Sequence, residues 1–142
     1  MSSFKIFDIA GSGMSAQSVR LNTVASNLAN ADSVSGDPNS VYRAKHPVFQ
    51  AVLGGVGAGS DAASASVTVT GIAENPAAPA SRYDPSNPLA DAQGYVYAPN
   101  VNMVEEMTDM ISASRSYQNN VEVLNTARDL MLDTLKLGQN GS

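Results

Sequence analysis

The chain has 142 residues, of which 15% are charged, and its formal net charge at pH 7 is −5. This length suits one modest domain, and such an acidic chain has no general attraction for nucleic acid or for an anionic membrane. It contains no cysteine, which excludes disulfides, thiolate chemistry and cysteine-based zinc sites. It also has no basic segment leading into an apolar core and no run of 18 apolar residues. We therefore predict no cleaved signal peptide and no membrane span.

The first predicted element is a helix over residues 1–31, the N-terminal part of a helical core. Apolar residues recur there at alternating steps of three and four, which is typical of a helix that lies along another helix. Gly11 and Gly13 each weaken this helix by about 1 kcal/mol relative to Ala. They indicate tolerated glycines, a close approach of another backbone, or a flexible N-terminus in the free subunit. The stripe consists of Phe7, Ala10, Met14, Gln17, Leu21, Val24, Leu28 and Ala31.

Residues 32–100 are predicted to form a small, irregular, β-leaning insert. Residues 54–66 (GGVGAGSDAASAS) are of low complexity and predict a flexible loop or hairpin tip. Four prolines between residues 75 and 88 exclude a helix or a central strand there. The other predicted parts are turns at 32–40, extended chain at 41–53, and short strands at 67–70 and 95–97.

The last predicted element is a long helix within residues 101–142, the C-terminal part of the helical core. Asn102 is suited to cap its first free amides, and Lys136 complements the negative end of its dipole. Its main heptad stripe is Met103, Met107, Met110, Ser114, Tyr117, Val121, Leu124, Arg128, Met131 and Leu135. Further apolar positions on other faces are Val104, Ile111, Val123, Ala127, Leu130, Leu132 and Leu137. Apolar residues on several faces indicate several packing partners.

The predicted fold class is mainly α with a small irregular β insert. Because both long terminal helices attach to the same insert, we expect them to pair antiparallel as a coiled coil, with the C-terminal helix extending two or more turns further. One chain cannot easily bury all this apolar surface, so we predict burial among copies of itself and related subunits; the alternative is the central helix of a bundle. The predicted subunit-packing residues are Phe7, Met14, Leu21, Val24, Leu28, Met103, Met107, Met110, Ile111, Tyr117, Val121, Leu124, Leu130, Met131 and Leu135.

The sequence contains no recognisable catalytic or metal-binding arrangement. His46 is the only histidine, which makes a zinc or hydrolytic site improbable. The glycine-rich run within 54–59 lacks the third glycine and the Gly-Lys-Ser/Thr of phosphate-binding loops. Asp84 and Asp91 are the only candidate carboxylate pair for an enzyme in the irregular region. We therefore predict a protein that is not an enzyme and binds no cofactor or metal.

Several segments together point to a family. Residues 9–33 read IAGSGMSAQSVRLNTVASNLANADS, residues 87–91 read NPLAD, and residues 111–117 read ISASRSY. These segments resemble the bacterial flagellar axial proteins of the rod, hook and hook-associated parts, and the C-terminal run resembles the proximal-rod subunits. The signature residues are Ser26, Asn27, Leu28, Ala29, Asn30, Arg115, Tyr117, Asn120, Val121 and Asn125.

The resemblance implies a structural subunit of the rod that crosses the periplasm, transmits torque and encloses the export channel. Such subunits pass unfolded through the flagellar type III export apparatus without signal cleavage, and their terminal helices form the inner tube with the middle domain outside. The implied partners are copies of itself, other proximal-rod subunits, the junction protein at the membrane-embedded MS ring, distal-rod subunits and, in transit, the export apparatus. An alternative from another class is a soluble helical adaptor or export chaperone.

Amide side chains are abundant on both predicted helices. A buried amide needs hydrogen-bond partners, so we expect these side chains either to pair with one another or with backbone groups across subunit contacts, or to face solvent or the channel. They are Asn22, Asn27, Asn30, Gln118, Asn119 and Asn120.

Overall fold

The computed structural model describes residues 3–54 and 64–139. Two long helices stand at the two ends of the described chain, and two small antiparallel sheets lie between them in sequence. The elements are α1 (Ser3–Ala29), β1 (Lys45–Gly54), β2 (Ser64–Glu74), β3 (Ala80–Tyr83), β4 (Tyr95–Ala98) and α2 (Met103–Gln139). The predicted fold class, mainly α with a small β insert, is confirmed.

The two helices run antiparallel in a constant register. As residue numbers fall along α1, the numbers of the facing residues rise by the same amount along α2. The helices therefore pair as predicted, and α2 continues past the first described turn of α1. The facing pairs are Asn27 with Glu106, Gly13 with Asn120, and Ile6 with Ala127.

α2 begins at the predicted cap. The Asn102 side-chain oxygen accepts the N–H of Val104 at 3.1 Å, which satisfies one of the free amides of the first turn. Within residues 3–54 and 64–139, neither α1 nor α2 contains a stretch that is apolar enough to cross a bilayer.

β1 and β2 form a hairpin that lies along α1. The pairing contains a β-bulge between Val48 and Phe49. The N–H of Val67 donates to the Ser12 hydroxyl on α1 at 3.2 Å. The predicted strand at 67–70 is thus part of a longer β2. The predicted flexible loop is bounded by the two strands, but its residues 55–63 lie outside the described part of the chain.

β3 and β4 form the second sheet. The rings of Tyr83 and Tyr95 meet edge to face with centroids 5.3 Å apart. Ser35 adds a single antiparallel bridge to Tyr97, which ties the chain leaving α1 to the strand that precedes α2. Gly94 has a φ of +83°, a conformation that favours glycine in the turn before β4. The small core here contains the buried Val41, Ala44, Val96 and Pro99.

Candidate functional site: a helix pair with exposed apolar faces

The contact between α1 and α2, which we call the seam, is made of small and polar residues. Its central row on α2 repeats every seven residues, and Ala113 in that row is 0% exposed. Large residues face small ones, because the register sets Ile6 against Ala127 and Arg20 against Ala113. The seam residues are Ile6, Gly13, Arg20 and Asn27 on α1 and Glu106, Ala113, Asn120 and Ala127 on α2.

The Asn120 side chain of α2 fills the space beside Gly13 of α1. A Cβ atom added at Gly13 would lie 2.9 Å from the Nδ2 atom of Asn120, closer than carbon and nitrogen normally pack. Gly11 has no neighbouring atom within 4 Å of such a Cβ. Gly11 is therefore a tolerated glycine, whereas Gly13 is approached closely by the Asn120 side chain and not, as predicted, by another backbone.

Asn27 is the polar centre of the seam and is 0% exposed. Its Nδ2 donates to the Lys45 carbonyl and to the Glu106 carboxylate, both at 2.8 Å. Its Oδ1 accepts the Lys45 N–H and the Tyr42 hydroxyl, both at 2.9 Å. Every donor and acceptor position of this amide is thus used, and all its partners lie within the chain. The expectation that Asn27 bonds across a subunit contact is wrong.

Glu106 is the partner of Asn27 on α2 and is only 4% exposed. One carboxylate oxygen accepts the Asn27 hydrogen bond, and the other, Oε2, is buried without a hydrogen-bond partner. Burial raises the pKa of this carboxyl, while the Asn27 hydrogen bond and the charge of nearby His46 oppose that rise. A buried carboxyl of this kind costs stability but favours one helix register over others.

A second polar contact lies at the edge of the seam. An Arg20 guanidinium nitrogen donates to Asp109 Oδ1 at 2.6 Å. Both side chains are partly exposed, so solvent screens the pair and its contribution to stability is small. Arg20 lies seven residues before Asn27, so its ion pair with Asp109 is consistent with the same helix register.

Large apolar side chains, by contrast, lie on the outside of α2. At its N-terminal end they form a set that we call the head face: Met103, Val104, Met107 and Ile111. At its C-terminal end they form the tail face: Leu130, Leu132, Leu135 and Leu137. Val104 and Leu137 are each 73% exposed. Apolar surface concentrated in this way is typical of an interaction site.

The tail face covers more than one side of the helix. Leu130 and Leu137 are seven residues apart and share one side, whereas Leu132 and Leu135 share another. Ile6 of α1 lines a groove with Leu130 and Met131, and the helix beyond these residues has passed the first described turn of α1. The tail therefore exposes apolar side chains on more than one side of α2.

The predicted packing residues fall into three groups by burial. The fully buried one is Val24. The exposed ones are Met103, Met107, Ile111, Leu130 and Leu135. The half-buried ones, at the edges of the seam, are Phe7, Met14, Leu21, Leu28, Met110, Tyr117, Val121, Leu124 and Met131.

The predicted signature residues are spread across these environments. Asn27 and Asn120 belong to the seam, and the half-buried Asn30 donates through its side chain to the Ser26 carbonyl of its own helix. The other half-buried ones are Leu28, Tyr117 and Val121, and the exposed ones are Ser26, Ala29, Arg115 and Asn125.

Sequence reasoning missed the central row of the seam. The predicted heptad stripe of α2 is mostly apolar, and its members Met110, Tyr117, Leu124 and Met131 flank that row. The row itself, which contains Glu106, Ala113 and Ala127, has the same seven-residue spacing. Small or polar residues at a strict heptad interval were the available signal.

Asp91, one half of the carboxylate pair weighed for an enzyme, organises a turn. Its Oδ1 accepts the N–H groups of Tyr95 at 2.8 Å and Gln93 at 2.9 Å, and the Tyr97 hydroxyl donates to Oδ2 at 3.3 Å. The Tyr95 hydrogen bond is the main cause that lowers the Asp91 pKa, although some burial opposes it. Asp84 accepts instead from the Ser86 hydroxyl. Both carboxylates are thus engaged in local turn contacts.

Comparison with known proteins identifies the class. Residues 7–36 match the family model described as flagella basal body rod protein, and residues 92–137 match the model described as flagellar basal body rod FlgEFG protein C-terminal. These two segments contain most of α1 and α2. Both long helices thus match models of flagellar basal-body rod proteins.

Relatives that match nearly the whole chain identify the family within this class. The flagellar basal-body rod protein FlgC of Escherichia coli O6:H1 is 56% identical over 139 residues, which cover 98% of this chain and 100% of the relative. FlgC of Salmonella typhimurium is 55% identical with the same coverage, and FlgC of Aquifex aeolicus is 42% identical over 96% of this chain and 97% of its own. The chain belongs to the FlgC family. It is a structural subunit of the flagellar basal-body rod, as predicted, and the adaptor alternative is not favoured.

Proposed function

We propose that the chain assembles through its terminal helices into the tubular drive shaft of the flagellum, which transmits torque and encloses the export channel. The observation that carries this proposal is the exposed head and tail faces of α2. Within residues 3–54 and 64–139 these large apolar residues remain exposed, and burial against neighbouring subunits would give them a role. Burying them against neighbouring subunits contributes about 25 cal/mol per Å² of apolar surface.

The subunit contacts are assigned to named residues. Met103, Met107 and Ile111 of the head face and Leu130 and Leu135 of the tail face contact neighbouring subunits directly. The half-buried predicted residues lie where the seam meets those contacts and serve both.

In this assembly each region of the chain has a place and a set of partners. Residues 1–31 and 101–142 belong to the inner tube, and the insert 32–100 lies outside it. The partners are copies of this chain, other proximal-rod subunits, distal-rod subunits and the junction protein at the MS ring, with the type III export apparatus engaged in transit. The rod crosses the periplasm, and the chain reaches it without a cleaved signal. Support comes from the rod family to which the chain belongs.

Leu135→Asp tests the proposal because Leu135 is 62% exposed and far from the seam. In a strain that lacks its own copy of the subunit, we expect at least a tenfold loss of completed rods in electron micrographs of purified basal bodies. The purified variant should keep the helix content and melting temperature of the parent chain. Lys136→Gln is the matched control, since it makes the same change in net charge one residue away and should leave rod numbers unchanged. Normal rods in Leu135→Asp would refute the proposal.

A further inference from the structure

Asn27 joins three elements that are far apart in sequence. It belongs to α1, it holds both backbone polar groups of Lys45 at the start of β1, and it donates to Glu106 on α2. The insert is therefore attached to the helix pair through a buried side chain as well as through its two covalent connections. From its place on α1, the Asn27 side chain thus hydrogen-bonds to both β1 and α2.

The residue before Lys45 is held from a second direction. The Ala44 N–H donates to Asn100 Oδ1 at 2.8 Å, and the Ala44 carbonyl accepts the Asn75 N–H at 2.7 Å. Asn100 lies just before α2, and Asn27 lies near the end of α1. Their side chains hydrogen-bond to adjacent residues of the insert, Ala44 and Lys45. Ala44 is buried, which keeps water from replacing these bonds.

We propose that Asn27 couples the helix pair energetically to the insert, so that the two unfold and respond as one unit. If the helices pack against neighbours in the rod as proposed above, this coupling carries the effect of packing to the outer domain. The physical basis is that Asn27 has no spare hydrogen-bonding group. Losing its amide would leave Lys45 and Glu106 unpaired together, so neither side can rearrange without the other.

The chain contains natural probes that separate the two regions. Four of its five tyrosines lie in the insert and only Tyr117 lies on a helix. Near-ultraviolet circular dichroism of tyrosine therefore reports mainly the insert, whereas far-ultraviolet circular dichroism reports mainly the helices. Both can follow urea unfolding of the full chain in dilute solution, where no assembly takes place. The result is therefore independent of whether the proposed rod contacts are right.

The expected result is coincident transitions for the parent chain and separated transitions for Asn27→Ala. In that variant the tyrosine signal should be lost at a urea concentration about 0.5–1 M below the midpoint of the helical signal. Asn30→Ala is the matched control, because Asn30 belongs to the same signature run but its side chain donates to the Ser26 carbonyl of α1 and not to the insert or α2. Its two transitions should coincide.

Coincident transitions in Asn27→Ala, or equal separation in the Asn30→Ala control, would overturn the proposal. Tyr42→Phe is a milder second variant that removes one of the four hydrogen bonds of Asn27. If Asn27→Ala shows no cooperative transition, Tyr42→Phe decides the question. Its insert midpoint should fall further than its helical midpoint, and equal shifts would contradict the coupling.

Discussion

The seam between the helices and the outer faces of α2 have opposite compositions. The seam buries Ala113 and Ala127 together with Asn27 and Glu106, and it places Gly13 against Asn120. The head and tail faces are open to solvent yet contain methionine, valine, isoleucine and leucine. In a self-sufficient helical hairpin the large apolar residues would lie inside. The difference teaches that the intrachain contact is built largely from small and polar residues, while the large apolar residues of the head and tail faces stay exposed.

Polar and small seam residues favour one register at some cost in stability. That register determines how far α2 continues beyond the start of α1, at about 1.5 Å per residue. It therefore determines which leucines of the tail face lie beyond the first described turn of α1. The register of the seam thus also sets how much of the tail face is exposed.

Overpacking the seam should have the largest effect on stability. Ala113→Leu places a large side chain where the residue is 0% exposed. We expect the free energy of unfolding to fall by about 1–3 kcal/mol, measured by urea unfolding with circular dichroism. The neighbouring exposed Ser112→Leu is the control and should change it by less than about 0.5 kcal/mol. Equal effects at the two positions would show that the seam is not tightly packed.

The two glycines of α1 provide a sharper test with a smaller effect. Gly11→Ala meets nothing within 4 Å and should raise the free energy of unfolding by about 0.5–1 kcal/mol through helix propensity. Gly13→Ala has the same propensity gain but must displace Asn120, so its net change should be smaller or negative. Thermal unfolding of both variants gives the comparison. A gain at Gly13 as large as that at Gly11 would contradict close approach at the seam.

The buried carboxyl predicts a pH dependence of a definite sign. Because burial raises the Glu106 pKa, the folded state takes up a proton at a higher pH than the unfolded chain does. Lowering the pH from about 7 should therefore increase this group's contribution to the free energy of unfolding, and the increase is complete below its ordinary pKa of 4.5. Glu106→Gln retains an acceptor for Asn27 and should flatten that part of the curve. An unchanged slope would show that Glu106 does not titrate differently on folding.

Truncation of the head face should have the smallest effect on the fold. Ile111→Ala removes an exposed side chain, so the free energy of unfolding should change by less than about 0.5 kcal/mol. Rod numbers in complemented cells should nevertheless fall, because the same side chain is proposed to contact a neighbour. A large loss of stability in the purified chain would instead mean that the head face supports the fold.

Sequence patterns predicted much of the fold because they depend on local chemistry. The heptad stripes, the Asn102 cap, the prolines of the insert and the antiparallel pairing all follow from spacing and connectivity. The central row of the seam did not, because packing of Gly13 against Asn120 depends on a partner a hundred residues away. The role of Asn27 was missed for the same reason: its partners at Tyr42, Lys45 and Glu106 are brought to it only by the folded chain.

Thiol accessibility tests the division between seam and outer faces most directly. The chain has no cysteine, so Leu135→Cys and Ala113→Cys each introduce a single probe. A water-soluble maleimide should modify Cys at the Leu135 position rapidly in the free chain and at least tenfold more slowly in assembled rods. At the Ala113 position it should react slowly in both. Equal reactivity at the Leu135 position in free chain and rods would contradict the account, because the tail face would then have no partner in the assembly.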